Sequence, residues 1–124
     1  MVEFAMTLPL LALLLFGIIQ YGFIFGAYVT VRNASSVGAR YATLSSPTPT
    51  IPQIQAVARG ALSPMLKSNA SASTVNVNPN ATVGGVSGAK SVQIIYPLPL
   101  IIPFVVPGKV NGDSVTISAT AIMR

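Results

Sequence analysis

Residues 4–31 decide the fold of this chain: they read FAMTLPLLALLLFGIIQYGFIFGAYVTV and contain no Asp, Glu, Lys or Arg. An apolar run of this length is typical of a membrane-spanning helix, because a helix satisfies its own backbone hydrogen bonds in lipid. At about 1.5 Å per residue the run reaches roughly 40 Å, whereas the hydrocarbon layer is roughly 30 Å thick. The surplus predicts a helix that tilts in the membrane, or that leaves it and packs against copies of itself.

The helix should continue beyond the apolar run. Residues 32–44, RNASSVGARYATL, keep small and apolar side chains at helical spacing. We therefore expect one helix from near Val2 to about Leu44, with a local break at Pro9, which removes a helix hydrogen bond. The sequence SSPTPTIP then predicts a stiff, extended linker. These boundaries divide the chain into a long helix at 1–46, a Pro-rich linker at 47–52 and a small head domain at 53–124.

The head domain shows one helical pattern and three strand patterns. Apolar residues recur at helical spacing over residues 51–67, which predicts a short second helix that Pro64 ends or bends. Alternating patterns at 74–78, 90–96 and 114–123 predict an antiparallel sheet of roughly three or four strands. We expect the helix at 32–44 to cover one face of this sheet. The fold class is therefore α+β, with a long N-terminal apolar helix and a small C-terminal antiparallel sheet.

Residues 97–107, PLPLIIPFVVP, predict an apolar loop, because the proline spacing is poorly compatible with a strand. So small a domain cannot bury all of the apolar side chains in this loop. An exposed apolar patch usually marks an interface, so we expect Leu98, Ile101 and Phe104 to contact neighbouring subunits. The alternative is that the loop folds back over the sheet.

The composition argues against catalysis and metal binding. The chain has no Cys and no His, and Glu3 and Asp113 are its only carboxylate side chains. Disulfides, thiolate sites and a Ser-His-Asp triad are therefore excluded, and no ordinary zinc site can form from one chain. We expect no cofactor. The net charge is +5, but the seven Lys and Arg residues are scattered, so no specific nucleic-acid binding is expected either.

The apolar run carries a few residues suited to helix–helix contact. Gly22 and Gly26 form a GxxxG pair, which lets two helix backbones approach closely, although glycine is also common in membrane helices. Gln20 is the strongly polar group within the run, and such groups usually face protein rather than lipid. Glu3 is favoured in a first helical turn by the helix dipole, or it pairs with a free α-amino group of its own or a neighbouring chain. The expected subunit-interface residues in this segment are Glu3, Pro9, Gly17, Gln20, Gly22 and Gly26.

Three Asn-X-Ser/Thr patterns raise the hypothesis of N-glycosylation. They place candidate acceptors at Asn33, Asn69 and Asn80. The pattern is frequent by chance in a chain rich in Asn, Ala and Ser. The stretch SSPTPT is an alternative position for O-linked sugar.

The two ends of the chain resemble TadE-like pilins. The matching pieces are VEFA at 2–5, LPLL at 8–11, GIIQYG at 17–22 and GARYA at 38–42, followed near the end by a strand closing on Tyr-Pro, a Pro-rich apolar loop and SATAIMR at 118–124. The chain departs from the type IV pilin pattern in two places. The acid is third rather than fifth, and the position of Gln20 is often acidic in the family.

The resemblance implies a structural subunit that waits in the inner membrane and then polymerises through its N-terminal helix into an extracellular filament. It implies as partners copies of the chain, a prepilin peptidase and the pilus assembly machinery with its extrusion ATPase. The peptidase would remove a short basic leader, which would also reconcile the positions of the cations with a head domain outside the cytoplasm. The alternatives are a minor pilin that primes or caps a filament of another subunit, and a membrane-anchored module that does not polymerise.

Overall fold

A computed structural model describes residues 2–44, 47–67, 70–100 and 114–124. Helix α1 spans Val2–Ala42 and includes Pro9 in its interior. The local break expected at Pro9 is absent, because the flanking Leu residues are strong helix formers and one missing N–H does not end so long a helix. The hydroxyl of Thr7, two residues before Pro9, donates to the backbone carbonyl of Phe4 at 3.2 Å.

The second helix is shorter than the sequence pattern predicted. Helix α2 spans Ile51–Gly60, and a separate four-residue helix, α3, spans Pro64–Lys67. The backbone N–H of Thr50 donates to Oε1 of Gln53 at 2.9 Å, which stabilises the start of α2. Pro64 disfavours helical backbone in the residue before it but suits the first position of a helix. The single helix expected at 51–67 is therefore divided in two. A 3-10 helix follows at Ala70–Ala72.

The sheet has three antiparallel strands in the order β1-β2-β3. They are β1, Thr74–Val83; β2, Val86–Pro99; and β3, Ser114–Met123. The tight turn between β1 and β2 uses Gly84 and Gly85, whose φ angles of 58° and 83° favour glycine. The predicted α+β fold, with its long helix and small antiparallel sheet, is confirmed.

Strand β2 extends into the segment that was expected to be a loop. Leu98 pairs with Val115 of β3 and is only 1% exposed. Pairing between β1 and β2 begins at Thr74 and Ile95, so among the described strands β2 beyond that point pairs with β3 alone. Prolines are tolerated in such an edge segment because no ladder partner needs their missing N–H. Ile101 and Phe104 lie outside the described residues.

The core lies between the C-terminal half of α1, helix α2 and one face of the sheet. The elements pack closely at Gly38 of α1, where a Cβ would lie 3.0 Å from Cβ of Ala58 in α2 and 3.2 Å from Cγ1 of Val92 in β2. The ammonium of Lys90 donates to the carbonyl of Ala42 at the end of α1. The main buried apolar residues are Ala27, Val31, Ala34, Ala39, Ala42, Ile54, Ala58, Leu62, Leu66, Val75, Val92, Ile94, Tyr96 and Leu98.

Candidate functional site

Helix α1 has two halves with opposite surroundings. Residues 3–19 include no buried side chain, and Gln20 is the first buried residue along the helix. The exposed fractions are large: Met6 is 77% exposed, Leu10 72% and Leu11 71%. Continuous apolar surface of this extent usually marks a contact with membrane or protein. The exposed half of α1, residues 3–19, is therefore the candidate functional surface.

The same helix has the length and composition of a membrane span. Within the residues that the structure describes, it is the one helix that meets both conditions, with a mean hydropathy of 2.2 in its most apolar window. Only 6% of that window is buried by the rest of the chain. The core helix of a soluble protein would be mostly buried, so the N-terminal helix is suited to membrane anchoring.

Most of the expected interface residues lie on open surface of α1. Glu3 and Pro9 are exposed near its N-terminal end, and Gly17 is partly exposed. Apart from the adjacent residues and the nearby backbone of α1 itself, no atom of the described chain lies within 4 Å of a Cβ built on Gly22 or on Gly26. The GxxxG pair therefore leaves a gap that the rest of the described chain does not fill, as close approach by another helix requires.

Gln20 differs from the other expected interface residues because its side chain is buried inside the chain. It is 1% exposed, and within the described part of the chain neither its Nε2 nor its Oε1 has a hydrogen-bond partner. Leaving a buried polar group unpaired costs about 1–3 kcal/mol. In this conformation Gln20 faces its own protein, so a neighbouring chain could reach it only after a rearrangement.

Two grooves flank α1 between residues 21 and 30, on the C-terminal side of the exposed half. One has a volume of about 280 Å³ and is lined by Gly22, Phe23, Gly26, Ala27, Thr30, Ser63 and Leu66. The other has a volume of about 430 Å³ and is lined by Tyr21, Ile24, Phe25, Tyr28, Thr116, Ile117 and Ser118. Sequence analysis did not find these grooves, because each combines α1 with residues that are more than thirty positions away in the chain.

The described residues offer no cluster of chemistry-bearing groups. In the ranges that the structure covers, no three or more His, Cys, Asp or Glu residues come together as potential metal ligands. The grooves beside α1 are lined by apolar, hydroxyl and glycine residues. Such surfaces are suited to packing against lipid or protein.

The glycosylation candidates lie in different surroundings. Asn33 is exposed on α1, but Ser35 of the same pattern is fully buried and its hydroxyl donates to the carbonyl of Arg32 at 2.8 Å. Asn80 is exposed on β1, and its backbone N–H donates to Oδ1 of Asn78 at 3.1 Å. Asn69 lies outside the described residues. Modification at these positions stays a hypothesis.

Comparison with known proteins supports the resemblance in the helical segment. Residues 1–40 match the family model described as TadE-like protein. The matched segment is therefore 40 of 124 residues and falls on α1, without the head domain. The family predicted from the sequence is confirmed over this segment. No curated protein and no solved structure matches the chain.

Proposed function

Because the N-terminal third of the chain is TadE-like, we propose that this protein is a structural, pilin-like subunit of a Tad-type pilus. In this proposal it is anchored in the inner membrane by α1 before assembly. It then polymerises through the same helix into an extracellular filament. The chain would act by assembly rather than by catalysis.

The exposed half of α1 is the observation that carries the proposal. Among the described residues, the first buried position after Glu3 is Gln20, and residues 3–19 are exposed or only partly covered. Among them, Phe4 is 70% exposed and Leu14 59%. Burying apolar surface stabilises a protein by about 25 cal/mol per Å², so this surface strongly favours a lipid or protein environment over water. A membrane before assembly and neighbouring helices afterwards would each provide that environment.

Helix–helix contacts must be preferred over lipid for the filament to form. Lipid tails are as apolar as Leu, so the preference has to come from close packing and from polar pairs. Gly22 and Gly26 would supply the close packing, which is supported by the open space that a Cβ built on either residue would meet in the described chain. Glu3 is placed for a polar pair with a neighbouring α-amino group, and Gly17 and Pro9 lie on the same exposed half.

The partners follow from this assembly route. We propose copies of this chain as the main partners, together with a prepilin peptidase and the pilus assembly machinery. A minor pilin is the second candidate. The family match covers α1, which a main subunit and a minor pilin would share, and it does not indicate how many copies enter a filament. A minor pilin would carry the same helix but would prime or cap a filament of another subunit.

A glycine substitution tests the proposal without lowering the hydropathy needed for membrane insertion, because leucine is more apolar than glycine. Gly26→Leu would fill the open space on α1, and Gly60→Leu is a matched control because Gly60 of α2 also has no atom within 4 Å of a built Cβ. We expect Gly26→Leu to remain in the membrane fraction but to lose filaments in negative-stain images. Gly60→Leu should assemble like the wild type.

Two outcomes would contradict the proposal. One is a wild-type protein that stays monomeric in detergent and on its native cells. The other is a Gly26→Leu variant that forms filaments as abundantly as the control. Abundant filaments from the purified wild-type chain alone would favour the main subunit over a minor pilin.

A further inference from the structure

We infer that the outer boundary of the lipid hydrocarbon lies near Gln20, and that the flank of α1 carrying Tyr21, Phe25 and Tyr28 rests in the phospholipid headgroup layer. The inference rests on the membrane-anchored state in the proposed function. It differs from the boundary that hydropathy alone suggests, because the uncharged run continues to Val31. The partner is the surface of the bilayer.

The packing of the head domain sets the boundary. Gln20 is 1% exposed and Ala27 is 5% exposed, so protein already covers one face of α1 at this level. Thr116 and Ser118 of β3 are exposed and line the 430 Å³ groove beside the helix at the level of Tyr21 to Tyr28. If the hydrocarbon extended to Val31, these strand hydroxyls and the edge of the sheet would lie within it. Lipid-exposed sheet edges do not occur at that depth, because their backbone groups would lack partners.

The length of the exposed half agrees with this boundary. From Glu3 to Gln20 there are 17 residue steps, which span about 26 Å at 1.5 Å per residue. A hydrocarbon layer is about 27–30 Å thick. The exposed half therefore matches the layer with little tilt. The segment from Glu3 to Val31 would instead span about 42 Å and exceed the layer by about 12–15 Å.

The side chains just beyond Gln20 have the chemistry of the membrane interface. Tyr21 is 51% exposed, Phe25 70% and Tyr28 40%, and their spacing of four and three residues places them on one flank of α1. Tyrosine is enriched at the headgroup level because one end of its side chain is apolar and the other can hydrogen-bond, and Phe25 adds apolar surface between the two tyrosines. The groove beside them adds the hydroxyls of Thr116 and Ser118. Together they form a surface that is partly apolar and partly hydroxylated.

The absence of cysteine from the sequence makes a direct depth measurement practical. Single cysteines are introduced at three exposed positions, in the variants Leu15→Cys, Phe25→Cys and Asn33→Cys, and each carries a nitroxide spin label. The full chain is reconstituted at low protein-to-lipid ratio into vesicles of phosphatidylethanolamine and phosphatidylglycerol. Collision of each label with oxygen, which prefers lipid, and with a water-soluble nickel complex gives its depth regardless of protein orientation.

We expect the label at position 15 to collide mainly with oxygen and the label at position 33 mainly with the nickel complex. The label at position 25 should be reached by the nickel complex several-fold more often than the label at position 15. Equal oxygen-dominated collision at positions 15 and 25 would overturn the boundary while leaving membrane anchoring in place. Nickel-dominated collision at all three positions would overturn anchoring itself, and the boundary with it.

Discussion

Replacing the buried amide of Gln20 with an apolar side chain should raise the stability of the folded protein. The side chain of Gln20 is 1% exposed, and both amide atoms lack hydrogen-bond partners among the residues that the structure describes. The substitution Gln20→Met keeps an unbranched side chain of similar length and removes the polar atoms. We expect this buried-residue substitution to stabilise the protein, whereas most such substitutions destabilise it.

The magnitude follows from the desolvation of the amide. A buried polar group without a partner costs about 1–3 kcal/mol, and Gln20→Met should recover most of that free energy. Gln55 provides a matched control, because its Nε2 donates to the carbonyl of Val75 at 3.0 Å. Gln55→Met removes that hydrogen bond and should destabilise the protein by about 1 kcal/mol. The same chemical change should therefore have opposite signs at the two positions.

Thermal unfolding in detergent, followed by far-UV circular dichroism, measures both variants against the wild type. For a folding unit of roughly 100 residues, 1 kcal/mol corresponds to a shift in Tm of about 4–8 °C. We expect Tm to rise by at least about 4 °C for Gln20→Met and to fall by a similar amount for Gln55→Met. A fall in Tm for both variants would refute the reasoning, because it would mean that the amide of Gln20 makes a stabilising contact in the folded protein.

Two further predictions concern the core of the head domain. Gly38→Val should destabilise the protein by about 1–3 kcal/mol in urea unfolding, because the added carbon would crowd Cβ of Ala58 at 3.0 Å. The control is Gly60→Val, where a Cβ meets open space, and its free energy of unfolding should stay within about 0.5 kcal/mol of the wild type. Equal losses of stability at the two glycines would contradict the close packing of Gly38 against Ala58. Tyr96→Phe should lower the free energy of unfolding by about 1–2 kcal/mol, because the buried Tyr96 hydroxyl donates to the carbonyl of Leu66 at 3.0 Å. An unchanged urea midpoint for Tyr96→Phe would show that this hydrogen bond contributes little.

The elements with strong local signals could be predicted from the sequence. The length of α1 follows from the uncharged apolar run at 4–31 and from the small and apolar side chains at helical spacing that continue it, and β3 follows from strict alternation at Val115, Ile117 and Ala119. The exposed half of α1 also follows from composition, since a head domain of this size could not cover so much apolar surface. These features depend on residues that are neighbours in the sequence.

The features that the sequence did not predict depend on tertiary contacts. Leu98 has two proline neighbours and looked like part of a loop, but its position beyond the last β1 partner makes a strand possible. Gln20 looked like an interface residue, and its burial follows from where the head domain packs on α1. The division of the second helix at residues 61–63 depended on whether Pro64 ended one helix or began another.

The central claim is that residues 3–19 of α1 are covered by equivalent residues of neighbouring copies once the protein is assembled. A helical reconstruction of the filaments by electron cryomicroscopy tests this claim most directly. We predict that these residues form the central bundle, with the head domains outside and side chains of neighbouring copies packed over Gly22 and Gly26. A filament whose subunits contact each other only through their head domains, with the apolar half of α1 outside the interface, would contradict the account.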